Sequence, residues 1–168
     1  DFSGFNIATA RAGNVIGGGD WAADRLIPDA VTAFGNRTTV TLRNPDAIRP
    51  WQHVLDPLSG YLILARRLME EGAHFADAWN FGPYSASERS VREVIAMAAE
   101  HWGDGAVWEA KGGADLHEAK FLKLDSSKAH SVLGWQPKLE LRDAVRMTID
   151  WYRAFNSGEN AERLVRKD

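Results

Sequence analysis

The sequence predicts an α/β fold. Short β-rich runs alternate with amphipathic helical stretches along its length. Helix punctuation recurs, with Asp, Ser or Pro at the starts and Gly at the ends. At least the first strand is mostly apolar rather than alternating, as expected of a parallel sheet covered on both faces.

Phe5–Arg11 reads as a short strand buried on both faces. A loop follows from Gly13 to Asp24, with Asp24 as N-cap of a helix over Arg25–Phe34 and Pro28 in its first turn. Gly35 and Asn36 end that helix. Thr38–Leu42 is β-rich, Asn44–Ala47 has turn chemistry, and Ile48–Val54 is extended, with Pro50 marking an edge or a short strand. Asp56 and Pro57 read as N-cap and first residue of a helix whose buried face is Leu58, Tyr61, Leu62, Ala65, Leu68 and Met69, closed by Gly72. Ala78–Gly82 is a short apolar strand. Ser90-Val-Arg-Glu93 is a capping box opening a helix that buries Val91, Val94, Ile95, Ala98 and Trp102. Ala106–Glu109 has strand character, Lys111–Lys120 is polar and irregular, and Phe121–Leu124 is extended. Asp125 or Ser126 caps a helix ending at Leu133-Gly134. A last helix runs from Leu141 to Phe155 on Leu141, Ala144, Val145, Thr148 and Tyr152. The charged tail beyond Gly158 is expected to be exposed.

The 168 residues suffice for one domain or a piece of a larger one, and the chain opens at Asp1, three residues before a strand, which suggests a fragment. A net charge of −3 gives no broad attraction to nucleic acid or to an anionic membrane. With no cysteine there is no disulfide, thiolate nucleophile or Cys-based metal site, which fits a cytoplasmic protein. No apolar run reaches the roughly 18 residues needed to span a bilayer.

Gly17-Gly-Gly19 invites a dinucleotide fingerprint, but a third glycine inside the helix and a later acidic residue after a second strand are missing. Trp21, in the same loop, is placed near a ligand. Arg25, Arg43 and Arg49 taken singly are surface residues. Arg49, next to a turn and near Trp51 and His53, could also reach a diphosphate as a forked donor. Asn80 inside an apolar strand is either a satisfied core amide or a ligand contact. His53, His74, His101, His117 and His130 show no metal spacing, so no metal is expected. His117-Glu118 is either an acid/base pair or part of a solvated loop. No Ser/His/Asp triad can be assembled.

In order along the chain stand Arg11-Ala-Gly-Asn-Val-Ile-Gly17, Arg25-Leu-Ile-Pro28, Ile48-Arg-Pro-Trp-Gln-His-Val54 with Asp56, Trp79-Asn-Phe-Gly82 and Leu133-Gly-Trp-Gln-Pro137. Together they resemble the C-terminal half of the extended short-chain dehydrogenase/reductase family, the NAD-dependent nucleotide-sugar epimerases and dehydratases. Gly17-Gly-Gly-Asp-Trp21, the run from Arg43 to Val54 and His117-Glu-Ala119 resemble its members acting on CDP-linked glucose.

The resemblance implies the substrate-binding part of an extended Rossmann-type fold without its N-terminal dinucleotide-binding half. Residues 1–24 would be the last strand and loop of the Rossmann core, 25–157 the substrate-binding domain, and 158–168 a charged tail. It further implies a lyase reaction: sugar C4 is oxidised by NAD, water leaves across C5–C6, and hydride returns to C6, giving a 4-keto-6-deoxy sugar nucleotide. Family members carry a glycine fingerprint and a Tyr-x-x-x-Lys pair in the N-terminal half. Here Tyr61, Tyr84 and Tyr152 are followed four residues on by Ala65, Glu88 and Asn156, so no catalytic residue is assigned and the chain alone is expected to be inactive.

By motif position, Ala12 and Gly13 would lie by the nicotinamide. Asn14 would contact sugar and diphosphate, and Arg25 and Leu26 the diphosphate. Thr41, Leu42 and Arg43 would flank base and ribose. Arg49 would clamp phosphate with help from Asn80, and His117, Glu118 and Lys120 would close over the nucleotide. Lys120 stands where relatives often have Arg. The loop's glycines are read as allowing close backbone approach to substrate. The expected partners are a CDP-sugar and a second copy of the whole protein, with self-association of this chain through exposed strands. Alternatives are a UDP- or dTDP-sugar enzyme of the same family, or a non-catalytic nucleotide-binding scaffold.

Overall fold

The computed structural model describes residues 5–111 and 121–167. It is α/β, as the alternation predicts. Its strands form three small sheets. β1 (Thr9–Ala12) pairs in parallel with β5 (Ala78–Phe81). β4 (Ile48–His53) lies between β2 (Asn14–Ile16) and β6 (Glu88–Ser90). β3 (Thr39–Leu42) pairs in parallel with β7 (Val107–Ala110). The helices are α1 (Leu26–Gly35), α2 (Leu55–Glu71), α3 (Val91–Trp102), α4 (Ser127–Leu133), α5 (Leu141–Asn156) and α6 (Ala161–Val165).

One core lies among α1, α3, α5, β3 and β4. Its central side chains, including Ala30, Phe34, Ile95, Ala98, Val145 and Ile149, are essentially inaccessible to solvent. A smaller core joins α2, β5 and α4 through Leu64, Trp79, Phe81, Leu133 and Trp135. The amphipathic pattern of α5 supplies the larger core as expected. The capping box of α3 closes in full: the Glu93 backbone N–H donates to Ser90 Oγ at 3.2 Å, and the Ser90 backbone N–H donates to Glu93 Oε2 at 2.8 Å. The Ser90 hydroxyl, donating to Glu93 Oε2 at 2.7 Å, and the Ser90 backbone N–H hold the Glu93 carboxyl below its ordinary value.

Several elements differ from expectation. The first strand is shorter, starting at Thr9, and it is exposed, with Phe5 at 75% and Ile7 at 56% of full accessibility. Its apolar pattern suits a covered sheet, yet among the described residues β5 is its one strand partner. The loop from Gly13 contains a strand, β2, because Val15 and Ile16 extend alongside Gln52 and His53. Asp24 adopts φ 62°, left-handed rather than the extended conformation of an N-cap, so that position falls to Arg25.

Pro50 sits inside a central strand. Ile48, Arg49 and Pro50 pair antiparallel with β6, whereas Trp51, Gln52 and His53 pair in parallel with β2. The proline therefore lies where one partner ends and the other begins, and the ladder loses little.

The buried face of α2 is also rotated. Leu58, Leu62 and Met69 are 46%, 73% and 88% exposed, while Asp56, Pro57, Gly60 and Leu64 are buried. Gly60 decides this: a Cβ there would stand 2.3 Å from Phe81 Cδ1, so only glycine admits that ring. Asp56 is not an N-cap. Its carboxylate accepts the Lys138 N–H at 2.8 Å and the Leu139 N–H at 3.3 Å, tying α2 to the segment before α5. The tail beyond Gly158 is not wholly exposed: Asn160 caps α6, and Leu164 is buried.

Candidate functional site

A cleft of about 640 Å³ opens at the C-terminal end of β1 and along β2. In open α/β sheets this end of the strands is where ligands approach. Ala12 and Gly13 line it as β1 passes into β2, followed by Asn14. Arg25 and Leu26 enter from the start of α1, and Arg49 from β4. Six residues scattered over the sequence thus share one cavity, because β2 and β4 lie side by side and α1 begins beside them.

Each brings different chemistry. Gly13 is held against the neighbouring strand: a Cβ there would meet the Pro50 carbonyl oxygen at 2.4 Å. Asn14 is half-buried, and among the described residues its side-chain amide has no hydrogen-bond partner. Arg49 is 7% exposed, and its Nη1 donates to the Ile48 carbonyl at 2.9 Å. Arg25 is exposed and pairs with Asp20 at 3.2 Å. Arg25 gives α1 no side-chain cap, so the first-turn amides at Leu26 and Ile27 are left for solvent or an anion.

Charge in the cleft is mixed. Arg25, Arg49 and Lys123 face Asp20 and Asp24. Lys123 pairs with Glu88 at 2.7 Å, and Asp24 pairs with Arg43 at 3.0 Å. Beside them, partial burial raises the Asp29 carboxyl above its ordinary value, and the negative charge of Asp24 adds to the shift.

The other candidates lie apart. Arg43 stands behind Asp24, outside the lining. Thr41 Oγ1 donates to Glu109 at 3.1 Å on the β3–β7 sheet. Leu42 is buried in the larger core, with its carbonyl accepting the Lys111 N–H, so it cannot present its side chain to a base. Asn80 donates to the Asp125 carbonyl at 3.0 Å and does not line the cleft. His117, Glu118 and Lys120 lie outside the described residues.

Two readings of the glycine loop need correction. Gly18 makes room for protein rather than ligand, while Gly17 lines the cleft and is also packed on Val54. A Cβ at Gly17 would lie 2.7 Å from Val54 Cγ1, and one at Gly18 only 2.1 Å from Trp151 Cγ. Trp21 turns to α5, its ring 5.2 Å from Tyr152 and 5.3 Å from Phe155, rather than into the cleft. Conversely, Asp20, Asp24 and the run Leu122–Leu124 line the cleft without having been singled out. The extended Phe121–Leu124 stretch was the available signal, since the Leu122 N–H donates to the Ile48 carbonyl beside Arg49.

Ala12 and Gly13 line the cleft where β1 passes into β2, whereas Gly17 and Gly18 are packed against Val54 and Trp151. Among the described residues no cluster of side chains suits a metal ion, and no helix is long and apolar enough to cross a membrane.

No family model matches the chain. It is 49% identical over 157 residues to CDP-glucose 4,6-dehydratase of Salmonella typhimurium, covering 94% of this chain and 44% of that protein. It is 41% identical over 149 residues to dTDP-glucose 4,6-dehydratase of Haemophilus influenzae, covering 82% and 42% respectively. Among solved structures, it superposes on a UDP-glucose 4-epimerase of Stenotrophomonas maltophila bound to NAD with TM-score 0.75 at 21% identity, covering 92% of this chain and 49% of that one. A UDP-glucuronic acid 4-epimerase of Bacillus cereus with UDP-glucuronic acid and NAD gives TM-score 0.74 at 18% identity, covering 89% and 46%. These two likenesses establish the fold. The chain spans about half the length of the curated relatives it matches, and it belongs to the extended short-chain dehydrogenase/reductase family of nucleotide-sugar epimerases and dehydratases.

Proposed function

We propose that this chain is the substrate-holding portion of an NAD-dependent dehydratase that converts CDP-glucose to CDP-4-keto-6-deoxyglucose and water. The observation that carries the reading is the 49% identity to a CDP-glucose 4,6-dehydratase, which extends over 94% of the chain. The cleft supports it. A sugar nucleotide presents a diphosphate of about two negative charges, and Arg25 and Arg49, distant in sequence, line one cavity. Each charge-assisted hydrogen bond to a phosphate oxygen contributes about 1.5–3 kcal/mol. The half-buried amide of Asn14 suits a sugar hydroxyl or phosphate oxygen, and the open amides of α1 suit phosphate.

NAD, when bound, supplies the hydride acceptor and donor for the sugar. Toward it this chain offers Ala12 and Gly13 at the cleft, which would pack on the nicotinamide. Arg43, behind Asp24, and Thr41, on the β3–β7 sheet, are assigned to base and ribose, and Asn80 to support of the loop that follows Leu124. His117, Glu118 and Lys120 are assigned to closure over the nucleotide. The chain by itself is expected to give no turnover. The whole protein is taken to be a cytoplasmic homodimer. The open edges of β1 and β5 support self-association of the isolated chain.

The test is turnover by the whole protein of CDP-, UDP- and dTDP-glucose, each followed by mass spectrometry for loss of one water. CDP-glucose should be consumed fastest. A preference for dTDP-glucose would move the assignment to the dTDP branch, toward which the 41% identical relative points.

A further inference from the structure

The loop Gly17–Trp21 is laid along α5 at three points. Gly18 packs its backbone on the Trp151 indole, where a Cβ would be 2.1 Å away. Trp21 stands edge-on to Tyr152, with ring centroids 5.2 Å apart and planes at 84°. Tyr152 Oη donates to the backbone carbonyl of Asp20 at 2.5 Å. The Asp20 carboxylate is engaged twice more, accepting the Ala22 N–H at 3.0 Å and Arg25 Nη1 at 3.2 Å. Tyr152 is inaccessible to solvent and burial pushes its phenol up to about 12, so it stays a proton donor throughout the working range. Arg25 itself is exposed, so its guanidinium has little else to fix it.

Taking the cleft as the sugar-nucleotide site proposed above, we infer that Tyr152 and Asp20 are positioning residues for substrate: Tyr152 fixes the Asp20 backbone, and the Asp20 carboxylate holds Arg25 at the cleft mouth for the diphosphate. An arginine held in advance loses less side-chain freedom on binding than one that must be recruited. Asp20 lines the same cleft, whereas Tyr152 acts from the core side of the loop and does not touch the cavity.

The test is steady-state kinetics of the whole protein with CDP-glucose. Tyr152→Phe keeps the ring against Trp21 and removes only the hydroxyl. It should raise KM by about threefold or more while kcat stays within about twofold, the signature of lost ground-state binding. Asp20→Asn, which keeps the backbone carbonyl, should raise KM likewise. In an Arg25→Gln background, Tyr152→Phe should add nothing, because the arginine it serves is gone. A purely structural role for Tyr152 would instead raise KM by the same factor in both backgrounds, and that result overturns the inference. So does a Tyr152→Phe protein with wild-type KM, or an Asp20→Asn protein with lower KM, which would make Asp20 a competitor for Arg25. If the unmodified protein turns over none of CDP-, UDP- and dTDP-glucose, the reading of the cleft fails and the inference with it. Turnover with an unmoved KM sinks the inference alone.

Discussion

Replacing Gly18 by alanine should damage the fold and the cleft together. A Cβ at this position would lie 2.1, 2.3 and 2.6 Å from Cγ, Cδ2 and Cδ1 of Trp151. Carbon atoms in contact sit about 3.5–4.0 Å apart, so loop and indole must separate by about 1.5 Å. The indole cannot yield easily. Trp151 is 4% exposed, and its ring stacks on Phe155 with planes at 8° and centroids 5.3 Å apart. Overpacking of this kind costs about 1–3 kcal/mol. With a urea slope of about 2 kcal/mol/M, the midpoint should fall by about 1 M. Gly35→Ala is the control, since its Cβ would meet the end of the Asn156 side chain at 3.3 Å and Trp102 Cζ2 at an ordinary 4.0 Å. Urea denaturation followed by tryptophan fluorescence reads both. A Gly18→Ala midpoint equal to that of the unmodified protein would show that the loop does not rest on Trp151.

Asp56→Ala should cost about 3 kcal/mol, because two part-buried backbone N–H groups, of Lys138 and Leu139, lose a buried charged acceptor. A urea midpoint within error of the unmodified protein would refute the tether. Glu93→Gln addresses pH. The Glu93 carboxyl is held below its ordinary value of 4.5 by the Ser90 hydrogen bonds, so its contribution to stability is full above about that value and fades as pH falls through the lower folded one. Thermal unfolding from pH 7 down to pH 3 should therefore lose stability less steeply in Glu93→Gln, and parallel acid arms would contradict this.

The buried faces of α3 and α5 and the cap of α3 were legible in the sequence because they are local. Ser90 and Glu93 read correctly as a capping box, and Leu141, Ala144, Val145 and Thr148 as the buried side of α5. The face of α2 was not legible. Leu58, Leu62 and Met69 form a regular apolar stripe, but the helix is turned by Gly60 under Phe81 and by the Asp56 carboxylate, both contacts with residues far along the chain. Asp56 followed by proline looks like a helix cap whatever its long-range partner. The grouping of Asn14, Arg25 and Arg49 followed from motif order, whereas the role of the glycines did not. Nothing near Gly18 announces that its missing side chain is replaced by Trp151.

The most direct test of the central claim is calorimetric titration of CDP into the intact protein and its Arg49→Ala variant. If the cleft holds the diphosphate, the variant should bind at least about tenfold more weakly, a loss of about 1.4 kcal/mol. Equal affinities would contradict the assignment of this cleft to the sugar nucleotide.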